Sequence, residues 1–312
     1  MESFSVAVNA VLPFVLYIFF GYLMNRIGIA DDNFLNKLNT VAFKAFFPVL
    51  MFSNLYHIEE GITFDVKLIA LSVVTLLVLV AVLVLTVPRI VSEDAKRSVI
   101  IQAIFRSNTV LFAVPLAVHL FGEEAAATAS MVVAIIVPLY NVLAVVILEK
   151  FRGGQPSMKT LLINILKNPL INGAIVGLLF FLLKIHLPTA IDSPVKAVAG
   201  MTTPLALFAL GGTLHLRSIR AHLKYLVPTL AVKLILLPLV VTLIATAFGL
   251  TGIARFVFFL QYASPVAASS YPMAANMGGD GTLAGEFVVT STVASLVTLF
   301  FWIMLYSQMG LF

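Results

Sequence analysis

Apolar residues run in ten long stretches separated by short polar breaks: Ala7 to Asn25, Asn36 to Tyr56, Val66 to Ile90, Ser98 to Phe121, Ala125 to Glu149, Leu166 to Lys184, Lys196 to Leu216, Leu223 to Gly249, Ile253 to Met277 and Thr282 to Tyr306. Each comes close to the ~20 residues a helix needs to cross ~30 Å of hydrocarbon. Segments of about ten residues with alternating polarity, the mark of a membrane barrel, are absent. The pattern therefore predicts an all-α polytopic membrane protein of ten transmembrane helices, each satisfying its own backbone. The longest polar stretch, Lys150 to Lys159 with Gly153, Gly154 and Pro156, reads as a short cytoplasmic linker over 153–159. It separates a first five-helix unit, residues 1–152, from a second, residues 160–312.

Composition removes the soluble alternative. Of 312 residues 61% are hydrophobic and 11% charged, against about 25% charged in ordinary globular chains. The first dozen residues hold Glu2 and no Lys or Arg, so no signal peptide is expected and the first span stays in the mature protein. With no cysteine, disulfides and thiolate chemistry drop out.

The net charge of +5 is distributed by topology. Alternate loops hold Arg26 and Lys37, then Arg89, Lys96 and Arg97, then Lys150, Arg152, Lys159 and Lys167, then Arg217, Arg220 and Lys224, while the opposite side holds Lys67, Lys184, Lys196 and Arg255. The bias places both termini outside the cytoplasm, in a cell membrane. It also explains the basic excess without nucleic acid; the partner implied is the lipid bilayer.

The prolines reveal a repeat. Pro13 and Pro169 open stretches one and six, Pro48 and Pro204 lie within two and seven, and Pro115 and Pro272 within four and nine, at offsets of 156, 156 and 157. Asn108 and Gly122 flank Pro115 at seven residues, as Pro265 and Gly279 flank Pro272, and an acid follows each glycine, Glu123 and Asp280. An odd number of spans per copy makes the two copies inverted. Proline removes a helical hydrogen bond and clashes with the preceding turn, so stretches four and nine are expected to be broken near Pro115, Pro265 and Pro272. Broken helices at membrane depth line a cavity or are buried in protein. Paired breaks would cross near the centre and aim helix amino termini at one spot, a place for an anion. Ordinary proline kinks are the simpler alternative.

Ionisable residues at depth are costly and mark function. Lys44, Arg106 and Lys233 lie deep in their spans, with no carboxylate comparably deep, which favours an anionic passenger. Either lysine could instead snorkel or cap carbonyls at a break. Arg106 stands two residues before the Asn108-Thr109 break on one helical face with Gln102, and a guanidinium so held can meet a carboxylate with two parallel hydrogen bonds. Gln261, Ser264, Ser269, Ser270 and Asn276 supply uncharged donors around stretch nine, and Asn141 sits mid-depth in stretch five. Ser291, Ser295 and Thr298, and the pair Gly173 and Gly177, read as packing faces. Glu286 falls near a cytoplasmic helix end, either a solvated acid or a proton carrier.

Enzyme fingerprints are absent: no Walker loop, HExxH, GxSxG or dinucleotide motif. Five scattered histidines (His57, His119, His186, His215 and His222) suggest no zinc site. Asp31-Asp32 has the look of a magnesium-holding acid pair of intramembrane prenyltransferases, without a second acidic motif. No enzyme and no cofactor are implied.

Ser107-Asn108-Thr109 leading to Val114-Pro115-Leu116 and Phe121-Gly122 resembles the fourth helix of the auxin efflux carrier family, whose pattern runs roughly GNTGxxGLPL. Asn168-Pro169-Leu170, Thr203-Pro204-Leu205-Ala206-Leu207 with Gly211 and Gly212, and Lys233-Leu234 through Pro238 resemble its sixth to eighth helices; Ala263-Ser264-Pro265 and Gly278-Gly279-Asp280 resemble its ninth. The family includes plant PIN auxin exporters and bacterial malate or malonate permeases. The resemblance implies ten helices in two inverted five-helix repeats, crossed and broken helices four and nine, elevator-like alternating access, organic carboxylates as cargo and a homodimer. By position, Asn108, Pro115 and Pro265 match the crossover and Pro48 the second-helix proline. Val110 and Ala113 replace two glycines of the pattern, and Arg106 is an added charge, changes that favour a smaller or doubly charged anion. A passive anion channel and a sodium-coupled symporter of bile-acid type remain alternatives, and the coupling ion, H+ or Na+, stays open.

Overall fold

A computed structural model describes residues 2–58, 65–122, 124–153, 158–214 and 216–311. Glu123, His215 and the linker positions 154–157 named above lie outside the described residues. The chain is all-helical, and among the described residues the sole β feature is one antiparallel bridge, Ser107 to Val266.

Among the described residues six helices are long and apolar enough to cross a membrane: Asp32–Tyr56, Val66–Ile90, Glu124–Lys150, Thr189–Thr213, Ser218–Ala247 and Gly281–Gln308. The pair Lys159–Lys167 and Pro169–Leu182, bent by 67°, makes a seventh if counted as one span. Glu2–Arg26 is a further 25-residue helix. Stretches four and nine hold no helix of that length because each is cut in two: Asp94–Phe105 with Thr109–Phe121, and Gly252–Ala263 with Ser270–Asn276. At 1.5 Å per residue no single piece crosses the hydrocarbon. The protein is thus a multi-pass membrane protein.

Two sequence expectations need correction. The polar linker is shorter than expected, since a helix begins at Met158 and runs to Lys167 before Asn168 caps the next one by accepting from Leu170 N at 2.9 Å. Pro169 sits at the first helical position, where no amide donor is needed. Pro115 and Pro272 do not break their helices: each lies inside one, Thr109–Phe121 and Ser270–Asn276. Pro272 falls in a first turn, where its missing N–H costs nothing. The breaks fall at Arg106 to Asn108 and at Ser264 to Ser269, and of the prolines only Pro265 is part of one. Asp31 caps the helix Asp32–Val41 by accepting from Phe34 N at 2.7 Å.

Two five-residue π-turns interrupt otherwise α-helical spans, Ala42–Phe46 and Val232–Leu236. Each lies just before a proline, Pro48 or Pro238. The widened turn relieves the clash between the proline ring and the carbonyl four residues back, and passes Phe47 N to Ala42 O and Leu237 N to Val232 O.

The helices sort into two groups by packing. Stretch one packs most extensively on stretch seven, and stretch two on stretch six. Glycine lets backbones touch there: a Cβ on Gly21 would lie 1.9 Å from Phe208 O, and one on Gly211 1.9 Å from Ile18 O. On the other pair, a Cβ on Gly173 would lie 2.2 Å from Pro48 O and one on Gly177 2.5 Å from Phe52 O. Gly21 and Gly177 are 156 apart, as are Phe52 and Phe208, so the same glycine–phenylalanine contact occurs at two places related by that offset. Thr202 donates to Phe46 O at 3.3 Å, again across 156 residues.

Candidate functional site

The two breaks meet. Helix Asp94–Phe105 ends at Arg106, which is extended (φ −96°, ψ 115°), and helix Gly252–Ala263 ends at Ser264, also extended (φ −65°, ψ 149°). Backbone groups freed by the breaks must find partners inside the protein, because lipid offers none. Asn108 N donates to Pro265 O at 2.8 Å, Ala267 N to Arg106 O at 3.4 Å, and Val266 N to the Ser291 hydroxyl at 3.1 Å. Asn108 and Pro265 are 157 residues apart, the offset of the prolines.

Beside the crossing lies a cavity of about 990 Å³. Its wall is mostly apolar, including Phe14, Tyr17, Phe47, Leu50, Met51 and Val114; the polar residues Arg106, Ser107, Asn108, Thr109, Tyr140, Asn141 and Ser269 cluster where the helices break. Pro13, Asn54 and His119 also line it.

Arg106 is 2% exposed. Its guanidinium donates to Asn141 Oδ1 in a short contact, to Gln102 Oε1 at 3.4 Å and to Met273 Sδ at 2.8 Å. Asn141 is itself fixed by donating to Val137 O at 2.9 Å and Met51 Sδ at 2.9 Å. Lys233, fully buried, donates to the Ser107 hydroxyl from behind the crossing and does not line the cavity. Among the described residues neither cation pairs with a carboxylate. A buried charge without a counter-ion is expensive, so this region is electrostatically incomplete. Asn108 makes no side-chain capping bond to Thr109–Phe121, which leaves first-turn amides without intrahelical partners at the wall formed by Thr109 and Val110.

Of the residues singled out from sequence, Arg106, Asn108, Thr109, Asn141, Ser269 and Pro115 line the cavity. Gln102 lies behind Arg106 and shares a small gap with Ser270 and Val266; no partner meets its Nε2 or the Ser270 hydroxyl. Gln261 is fully buried off the cavity and contributes its carbonyl, which accepts from Tyr140 Oη at 3.0 Å. Ser264 turns back to Leu260 O at 2.6 Å, and Asn276 to Pro272 O at 2.8 Å. Pro265 stands in the crossing, and Pro272 beyond it.

Lys44 is exposed, on the side of its π-turn opposite the buried Ala42 and Phe43, and does not line the cavity. Glu286 is neither solvated nor near the cavity: it is fully buried, accepts a short bond from Ser218, and lies 2.7 Å from His222 Nδ1. Ser291 joins the expected packing stripe yet also completes the break at Val266. Tyr140, Met51 and Met273 had no sequence signal, since aromatic and sulfur side chains in apolar stretches are indistinguishable from packing.

The model of a family described as membrane transport protein matches residues 6–160 and 155–303. A protein of Methanothermobacter thermautotrophicus described as an uncharacterized transporter is 23% identical over 305 residues, covering 96% of this chain and 98% of its own. The resemblance to auxin efflux carriers is borne out by the family match.

Proposed function

Because this chain belongs to the membrane transport protein family, we propose that it is a secondary transporter of small organic anions, mono- or dicarboxylates, working by elevator-like alternating access. The observation that carries the reading is Arg106: a buried guanidinium with no acid partner among the described residues, at a helix break, on the wall of a 990 Å³ cavity. A carboxylate there would complete the charge balance, accepting from Arg106 and from the first-turn amides at Thr109 and Val110, with Asn108 beside it. Asn141 and Gln102 hold the guanidinium in place. One cation on an apolar wall favours a single carboxylate carried on an apolar body.

Two inverted five-helix units, 1–152 and 160–312, account for the contacts between residues 156 or 157 apart: Asn108 with Pro265, Phe46 with Thr202, and the paired glycine contacts. In this reading both termini lie outside, so the cavity, which reaches Pro13, Asn54 and His119, opens outward. The breaks at the crossing argue for a carrier over a pore, and sodium dependence would mark a symporter.

Purified protein in liposomes is expected to take up labelled monocarboxylates saturably, with dicarboxylates slower and organic cations excluded. Uptake of cations with no carboxylate flux would overturn the reading; flux linear in concentration would indicate a channel. Lys44→Gln is expected to stay within about twofold of wild-type uptake, as for surface changes generally, and a larger loss would place that lysine in the route.

A further inference from the structure

A second pocket of about 360 Å³ lies beyond the crossing from the central cavity, between Asp32 and Asn36, the end of stretch seven at Leu210 and Thr213, and Tyr271 and Ala275 of the short helix Ser270–Asn276. The repeat offset relates the two spaces. Asn54, Val114 and Val118 line the cavity, and Leu210, Tyr271 and Ala275, which lie 156, 157 and 157 residues later, line the pocket. The two spaces therefore occupy equivalent positions in the two halves.

They differ in one contact. The Tyr271 and Thr213 hydroxyls lie 2.8 Å apart. Thr213 Oγ1 is 3.0 Å from Ala209 O and 3.2 Å from Leu210 O. Each hydroxyl can donate or accept, so the two side chains are tied whichever of them donates. Tyr271 is 5% exposed, and its ring faces Gly285, where a Cβ would come 3.4 Å from Cδ2. The bond ties the short helix after the second break to stretch seven. The residues at the equivalent positions are Val114, which lines the open cavity, and His57, which bonds Ser53 and Asp192 instead. Valine has no hydroxyl to donate, and no such tie exists there.

We infer that the Tyr271–Thr213 hydrogen bond is the latch that shuts the route between the crossing and this second pocket, and that breaking it moves the protein from the cavity-open state toward the pocket-open one. The inference rests on the transporter reading, and it assigns Tyr271 and Thr213 as positioning residues that touch no substrate.

The cysteine-free chain allows a direct test. Asn54→Cys and Leu210→Cys place single thiols at equivalent sites, the first on the open cavity and the second 2% exposed beside the pocket. In full-length protein in liposomes, a membrane-impermeant maleimide is expected to label Asn54→Cys quickly and Leu210→Cys slowly. Adding Tyr271→Phe or, separately, Thr213→Val is expected to raise the Leu210→Cys rate and lower the Asn54→Cys rate, each by about fivefold, the population shift that loss of one hydrogen bond allows. Reciprocal change in both backgrounds supports the latch. No change in either reporter overturns it, and so does a rise at both sites, which signals general loosening. Labelling needs no substrate, so carboxylate uptake measured on the same vesicles separates a wrong latch from a wrong cargo.

Discussion

Arg106→Ala is expected to abolish saturable carboxylate uptake in liposomes while leaving the protein folded. Removing one partner of a buried, hydrogen-bonded charge pair costs about 2–5 kcal/mol, and each 1.4 kcal/mol is about tenfold, so the loss should exceed about 30-fold. The guanidinium is already desolvated and oriented by Asn141 and Gln102, so an arriving carboxylate spends little on ordering it. Arg106→Lys keeps the charge and loses the planar fork, and it should recover only part of the rate. Asn141→Leu keeps the charge and removes its principal anchor, raising the half-saturation concentration more than it lowers the maximal rate. Wild-type uptake by Arg106→Ala would remove the anion from the crossing altogether.

The largest effect on stability is expected at the helix pairs that touch backbone to backbone. Gly211→Ala must place a methyl 1.9 Å from Ile18 O, and Gly21→Ala must place one 1.9 Å from Phe208 O. Neither neighbour is a flexible side-chain tip, so the helices must separate, and overpacking of this kind costs about 1–3 kcal/mol or more. Gly200→Ala is the control: a Cβ there meets nothing within 4 Å, and alanine is favoured over glycine in a helix by about 1 kcal/mol. Thermal unfolding in detergent should drop by several degrees for each of the first two variants and hold or rise for the third. Equal midpoints for all three would mean that stretches one and seven are not in contact.

What could be read from the chain, and what could not, follows from the range of each interaction. The apolar stretches, the offset of 156 to 157 and the deep arginine are written in residue identity alone, and the offset reappears as physical contacts at Asn108–Pro265 and Phe46–Thr202. The site of the break was harder. A proline signals lost hydrogen bonding, yet Pro115 is carried inside a helix while the chain opens at Arg106 to Asn108, where partners across the crossing receive the freed backbone groups. Depth along a span did not say which way a side chain points. Lys44 and Lys233 sit at similar depth, each in a π-turn, but one faces outward and the other bonds Ser107. Glu286 shows the same gap: its position near a helix end implied solvent, and Ser218 and His222 of a distant segment bury it. Helix Met158–Lys167 went unseen because its mixed polarity looks like loop until Asn164, donating to Glu149 at 2.9 Å, anchors it.

Pro265 also carries a consequence at the centre of the crossing. Its carbonyl accepts from Asn108, and the reciprocal bond, from residue 265 to the carbonyl of Asn108, is closed to it because proline has no amide hydrogen. Were the two halves to trade shapes during a transport cycle, that reciprocal bond is the one the traded shape would call for. In such a cycle the imino acid would make the end points unequal, favouring the orientation in which Asn108 is the donor.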